Sequence, residues 1–166
     1  MAARRKARRR ALDVLFAADM RKLPPMEVLT DMRQRRAGEG EPPLNPYVET
    51  LVAGVVAHRD EIDEQLATYA IGWTLDRMPL VDRNVLRIGA FELLHSTTVP
   101  PGVAVSEAVA LAKDLSTDES PRFVNGLLSR LAQLQADAVM DEIVPGSDPA
   151  ESSVPRVGFE PTLDGV

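Results

Sequence analysis

The chain has no cysteine and only two histidines, His58 and His95, among its 166 residues. The first absence excludes a disulfide scaffold, a thiolate zinc site, an iron–sulfur cluster and a cysteine nucleophile. The second leaves very thin material for a histidine-based metal centre. Aromatic residues make up 4%, too few for the aromatic-rich strands of a small β-sandwich. No segment approaches the ~18 consecutive apolar residues of a membrane span. The stretch behind the N-terminal arginines is interrupted at Asp13 and Asp19, so it lacks the unbroken apolar region of a secretory signal. The expectation is a cytoplasmic protein with no membrane partner.

Catalytic constellations are missing as well. There is no phosphate-cradling Gly-Lys-Ser/Thr, and Gly38-Glu39-Gly40 lacks the third glycine of a dinucleotide loop. The histidines stand 37 positions apart with no His-Glu-x-x-His pairing. Asp60-Glu61 and Asp63-Glu64 read as a solvated helix face, and His95 as a cap at a helix C-terminus, where the dipole favours a cation. The sequence therefore predicts no enzyme, no catalytic residues, no cofactor and no metal.

What is present is a lopsided charge distribution. The formal net charge is −6. Residues 1–36 hold 11 Arg or Lys against four acids, or +7, while the other 130 residues hold 8 against 21, or −13. A concentrated basic end on an acidic body suggests an anion-binding head.

The apolar pattern is helical throughout. Residues 4–22 place Ala7, Ala11, Val14, Leu15 and Ala18 on one stripe; Pro24-Pro25 ends that helix, and a short one follows from Met26 to Arg36. Asn45-Pro46 suits a helix start, because Asn caps free N–H groups and Pro fits the first turn. From Tyr47 the positions Val48, Leu51, Val52, Val55, Val56, Ile62 and Leu66 keep a 3.6-residue period. Residues 80–95 are apolar nearly all round, the mark of a buried central helix. A helix over 105–115 and a last core helix from about Arg122 to Leu134, started by Ser120-Pro121, complete the set. The expected fold is all-α, one domain of about seven helices over residues 1–137. Residues 138–166, with Pro145, Pro149, Pro155 and Pro161, read as a disordered tail.

Arg4-Arg5-Lys6-Ala7-Arg8-Arg9-Arg10 puts six cations in seven residues. Ala7 and Ala11 offer too little apolar area for a membrane-surface helix. Arginine outnumbers lysine five to one, which suits bidentate phosphate contacts and stacking on bases. A solvated tail that only aids solubility is the plainer alternative. Against it, the run continues without a linker into Leu12, Val14, Leu15 and Phe16, and so is held at the domain surface.

Four stretches together resemble the NusB family of transcription antitermination factors. They are Ala7-Arg-Arg-Arg-Ala-Leu12 through Leu15-Phe16; Tyr47 with Leu51-Val-Ala-Gly-Val55 and Ile62-Asp63; the long run from Trp73 to Leu94; and Val103-Ala-Val-Ser-Glu-Ala-Val-Ala-Leu-Ala-Lys113 followed by Asp118-Glu-Ser-Pro-Arg-Phe-Val-Asn-Gly-Leu-Leu128. The likeness spans about residues 4–134; it departs at Ser106, where the family usually has Asn, and at Pro121, a position that is often polar.

The resemblance implies two packed helical subdomains. It also implies binding of short single-stranded boxA-type RNA together with NusE, a small-subunit ribosomal protein, and assembly with other Nus factors on RNA polymerase during ribosomal RNA synthesis. By position, the implied RNA side comprises Arg4, Arg5, Lys6, Arg8 and Arg9, with Glu119, Arg122 and Phe123 at the start of the last helix; the implied NusE side centres on Asp82. NusB-like domains also stand at the front of ribosomal RNA cytosine methyltransferases; those need cysteine chemistry and a cofactor domain, so the 166 residues given would fit that class only as a fragment of a longer chain. A helical interaction module with no RNA role is a further reading, and a homodimer that masks the arginines is another option.

Residue chemistry weighs these assignments. Phe123 is either a base-stacking aromatic or a core residue beside Val124. Asn125-Gly126 reads as structural, the glycine permitting close helix approach and the Asn satisfying backbone groups. Arg83 and Arg87, spaced i,i+4, are expected to pair with internal acids, and Glu107 to serve structure rather than chemistry.

Overall fold

A computed structural model describes residues 2–143 of the chain. Seven α-helices follow one another: α1 (Ala2–Arg21), α2 (Pro25–Gly38), α3 (Pro46–Ala57), α4 (Arg59–Tyr69), α5 (Leu80–His95), α6 (Pro101–Leu115) and α7 (Ser120–Ile143), with a single 3₁₀ turn at Leu75–Arg77. Among the described residues there is no strand and no helix long and apolar enough to cross a membrane.

Local chemistry sets most of the boundaries. Pro25, Pro46 and Pro101 each lie in the first turn of their helix, where a missing N–H costs nothing. The Asn45 side chain accepts a hydrogen bond from the Tyr47 amide at 2.9 Å, the expected cap. One expected cap is different. Ser120 is itself the first residue of α7, and its hydroxyl donates to Asp82 Oδ2 at 2.8 Å instead of accepting from an amide of its own helix.

The single 3.6-residue period from Tyr47 to Leu66 proves to be two helices. The backbone breaks at His58 (φ −113°, ψ 18°), with neither glycine nor proline to announce it. Val56, on the expected apolar stripe, is consequently exposed. At the other end α7 continues to Ile143, past the boundary expected at residue 137. The tail expectation for 144–166 lies outside the described residues.

Helices α1–α3 pack on one another as one subdomain and α4–α7 as the second; α5 is the element shared between them, packed against α1, α3, α4, α6 and α7. This is the all-α, two-subdomain arrangement expected. The core is continuous across the junction and includes Leu12, Leu15, Leu51, Val55, Ile62, Leu86, Ile88 and Leu128. Two glycines permit the closest approaches. A Cβ on Gly54 would stand 2.3 Å from the Phe91 ring, and one on Gly89 would stand 2.6 Å from Leu128 Cδ1. Gly126, which the sequence suggested for this role, faces open space, and Asn125 is exposed beside it with its side chain bonded only to Ser129.

Candidate nucleic-acid interface

The basic helix is fastened lengthwise to α5. Near its start, the Arg8 guanidinium makes two hydrogen bonds to Glu92, from Nε at 2.8 Å and Nη2 at 2.9 Å. Both side chains are almost fully buried, 4% and 1% exposed. The Tyr47 hydroxyl donates to Glu92 Oε2, the oxygen that also accepts from Arg8 Nη2. Burial and this bond to Glu92 push the Tyr47 phenol well above its ordinary pKa. At the far end of α1, Asp19 meets Arg87 and Asn84 of α5, and Arg87 holds Asp63 of α4 in a bidentate pair at 2.8 and 3.0 Å. Arg87 thus pairs with internal acids as expected. Arg83 does not: its Nη2 donates to the Met78 carbonyl, and its buried Nε has no partner among the described residues.

These anchors sort the expected RNA residues. Arg8 is not on the surface, because the ion pair with Glu92 consumes it. Its position is legible afterwards, since Arg8, Leu12 and Leu15 stand at i, i+4 and i+7 on the apolar stripe. Arg5 is two-thirds exposed but bidentate to Glu107, at 3.1 and 3.0 Å. That hydrogen bond, with the charge of Arg5, holds the Glu107 carboxyl below its ordinary pKa, against the opposing effect of burial. Glu107 is therefore the structural anchor expected of it. Arg4 lies over the Tyr47 ring, 4.5 Å from its centroid, and donates to Thr98 Oγ1 at 3.2 Å. Lys6 and Arg9 are exposed. Arg4, Lys6 and Arg9 have no carboxylate partner among the described residues.

Glu119, Arg122 and Phe123 form a second patch. Arg8 meets Glu92 of α5, whereas Ser120 meets Asp82 ten residues earlier on the same helix, roughly 15 Å away at 1.5 Å per residue. Asp82 belongs to this second patch: it is 5% exposed and accepts hydrogen bonds from Ser116 and Ser120, joining the start of α5 to the end of α6 and the start of α7. Above it opens a cavity of about 490 Å³ lined by Trp73, Met78, Pro79, Glu119 and Phe123 among others. Phe123 meets the core reading expected of it and has a second, open side. It packs on the core and also faces this cavity, 6.4 Å from the half-exposed Trp73 ring. Trp73 was missed as a site residue, although its place as the sole tryptophan, in a loop just before Pro79, was the available signal.

His95 ends α5, the position expected of it, and what the sequence did not foretell is its company. His58 and His95 stack with ring centroids 3.7 Å apart, and Glu61 lies against both. Neither Glu61 nor Asp63 is merely a solvated acid, since His95 bonds the first and Arg87 the second.

Fold and site together define an all-α protein of two subdomains carrying an arginine-rich helix pinned along its central helix. The NusB family model matches residues 5–133, and the chain belongs to that family. It is similar to proteins named "Transcription antitermination protein NusB" from Kineococcus radiotolerans (58% identical over 135 residues, 81% of this chain and 96% of that protein) and Thermobifida fusca (58% over 130 residues, 78% and 89%). Among solved structures it is similar to NusB of T. maritima, at TM-score 0.70, 30% identity and coverage of 78% of this chain and 90% of that one. It is also similar to a chain of antitermination factors NusB and NusE in complex with double-stranded RNA, at TM-score 0.69, 30% identity and coverage of 81% and 98%.

Proposed function

We propose that this chain is a transcription antitermination factor, not an enzyme, that acts in the cytoplasm. It binds boxA-type single-stranded RNA together with NusE and joins other Nus factors in supporting ribosomal RNA transcription by RNA polymerase. The observation that carries the reading is the set of cations on α1 that no carboxylate neutralises. Lys6 and Arg9 on its exposed face, and Arg4 at the edge beside Tyr47, keep their charge free of carboxylates among the described residues, while Arg5 and Arg8 are spent on holding the helix in place. Cations fixed on a rigid helix lose little entropy when they meet phosphates. The relatives' names and the solved NusB–NusE–RNA assembly support the same reading.

In this reading Arg4, Lys6 and Arg9 contact phosphates, Arg5 contributes from its pair with Glu107, and Arg8 positions the helix from beneath. Arg122 and Phe123 extend the RNA path, with Phe123 and Trp73 as stacking surfaces and Glu119 at the rim. Asp82 serves the NusE side by fixing the helix ends beneath it. Residues 1–137 carry the RNA-binding unit.

Fluorescence anisotropy with a boxA-like oligonucleotide, with and without NusE, tests this. Three phosphate contacts give a log–log salt slope of about −2 on a single strand, and Lys6→Ala or Arg9→Ala each shrinks it by about 0.7. Equal affinity for scrambled RNA in the presence of NusE, or tighter binding of duplex than of the single strand, overturns the boxA assignment.

A further inference from the structure

We propose that His58, Glu61 and His95 form a binding site for a borderline divalent transition-metal ion, Zn²⁺ foremost. The chain holds two histidines and no cysteine, so every imidazole it possesses is in this one place. The three residues come from separate structural points: His58 from the joint between α3 and α4, Glu61 from the first turn of α4, and His95 from the last position of α5.

The three donors stand close enough for one metal ion to gather them. Glu61 Oε2 lies 3.1 Å from His95 Nε2 and 3.6 Å from His58 Nδ1. The three donor atoms all lie within 4.8 Å of one another. Donors bound tetrahedrally to zinc at 2.0–2.2 Å stand about 3.3–3.6 Å apart, close to the observed separations. Only the His95 contact qualifies as a hydrogen bond. The two imidazoles are stacked, with centroids 3.7 Å apart and planes 15° from parallel, so engaging one ion requires a turn of the more exposed His58 ring that brings its Nδ1 lone pair to the same point as those of His95 and Glu61.

The surroundings also suit a site. The Phe91 ring stacks near both imidazoles, with centroids 6.0 Å from His95 and 6.3 Å from His58, and it is seated against Gly54. This apolar floor limits ring movement on one side. The other side is open, the side chains being 40%, 51% and 24% exposed for His58, Glu61 and His95, which leaves room for water as a fourth ligand. Two imidazoles and one carboxylate favour zinc, cobalt, nickel or copper over magnesium or calcium. A bound ion would tie the α3–α4 joint to the end of α5, across the boundary between the two subdomains.

The test uses untagged full-length protein stripped with a chelator, titrated with Zn²⁺ by calorimetry and with Co²⁺ by visible absorption. Wild type binds one ion per chain and ignores Mg²⁺. His58→Ala and His95→Ala each weaken Zn²⁺ binding by at least about tenfold, Glu61→Gln weakens it as well, and the double histidine variant loses it. At a hundredfold excess over Kd, Zn²⁺ raises the Tm of wild type by about 5–10 °C and leaves that of the double variant unchanged. Unchanged affinity in the double variant overturns the proposal, as does the lack of one-to-one binding up to about 100 µM free Zn²⁺.

Discussion

Replacing Arg8 by alanine separates an arginine that builds the fold from those that face outward. The substitution removes both guanidinium bonds to Glu92 and leaves that carboxylate, 1% exposed, with only the Tyr47 hydroxyl beside it. Removing one partner of a buried ion pair strands a charge in a poorly solvated place, at a cost of about 3–5 kcal/mol. Both side chains are nearly inaccessible, so screening by solvent gives little relief. For a domain of this size that cost lowers Tm by about 6–20 °C. Urea unfolding followed by circular dichroism reads it directly, with Lys6→Ala as the comparison, expected to fall within about 0.5 kcal/mol of wild type. Pairing Arg8→Met with Glu92→Met recovers most of the loss, because two apolar side chains impose no desolvation penalty. An Arg8→Ala protein within about 1 kcal/mol of wild type would refute the argument, as would a double variant no better than the single one.

Three further expectations concern packing and titration. Gly54→Ala drives a methyl group into the Phe91 ring at 2.3 Å and costs about 1–3 kcal/mol, whereas Gly126→Ala meets nothing and gains up to about 1 kcal/mol of helix propensity; a raised urea midpoint would contradict the first and a lowered one the second. The Tyr47 phenol is raised above its ordinary 10.0, so its stabilisation is complete below that pH and is lost as pH climbs toward the folded value; Tm should fall in this alkaline window, and Tyr47→Phe should flatten the fall. The Glu107 carboxyl is lowered from its ordinary 4.5, so its contribution is present above that pH and is lost as pH drops through the folded value; thermal melts of Glu107→Gln should show a shallower acid limb than wild type.

Much of the architecture is written in local signals. Asn45-Pro46 marks a helix start and Pro24-Pro25 the end of α1 because proline's chemistry acts within one turn, and the apolar run of α5 announces its burial; α6 begins at Pro101, four residues before the expected 105, because proline fits a first turn as readily as it breaks a helix. Arg87 could be assigned to internal acids because a charge on a buried helix must find a partner. Arg8 obeyed the same rule but was hidden by composition, its apolar stripe masked by five cationic neighbours. The break at His58 carries no glycine or proline, so periodicity ran straight through it. Which glycine permits close packing depends on what lies opposite: Phe91 faces Gly54 and solvent faces Gly126, a tertiary fact absent from any window of sequence. The meeting of His58 with His95 is of that kind too.

The two polar anchors between α1 and α5 are wired in opposite senses. Near the start of α1, the first helix supplies the cation, Arg8, and α5 the anion, Glu92; near its end α1 supplies the anion, Asp19, and α5 the cation, Arg87. Turning α1 end for end would set Arg8 toward Arg87 and Asp19 toward Glu92, bringing like charges together in buried surroundings. Sliding it by a turn would part both pairs. The apolar stripe of α1, built largely of alanine, valine and leucine, tolerates several such placements, and the crossed charges select one. The direction and register of the arginine helix are thereby keyed like a plug, so the cations on its outer face are presented in a single fixed order.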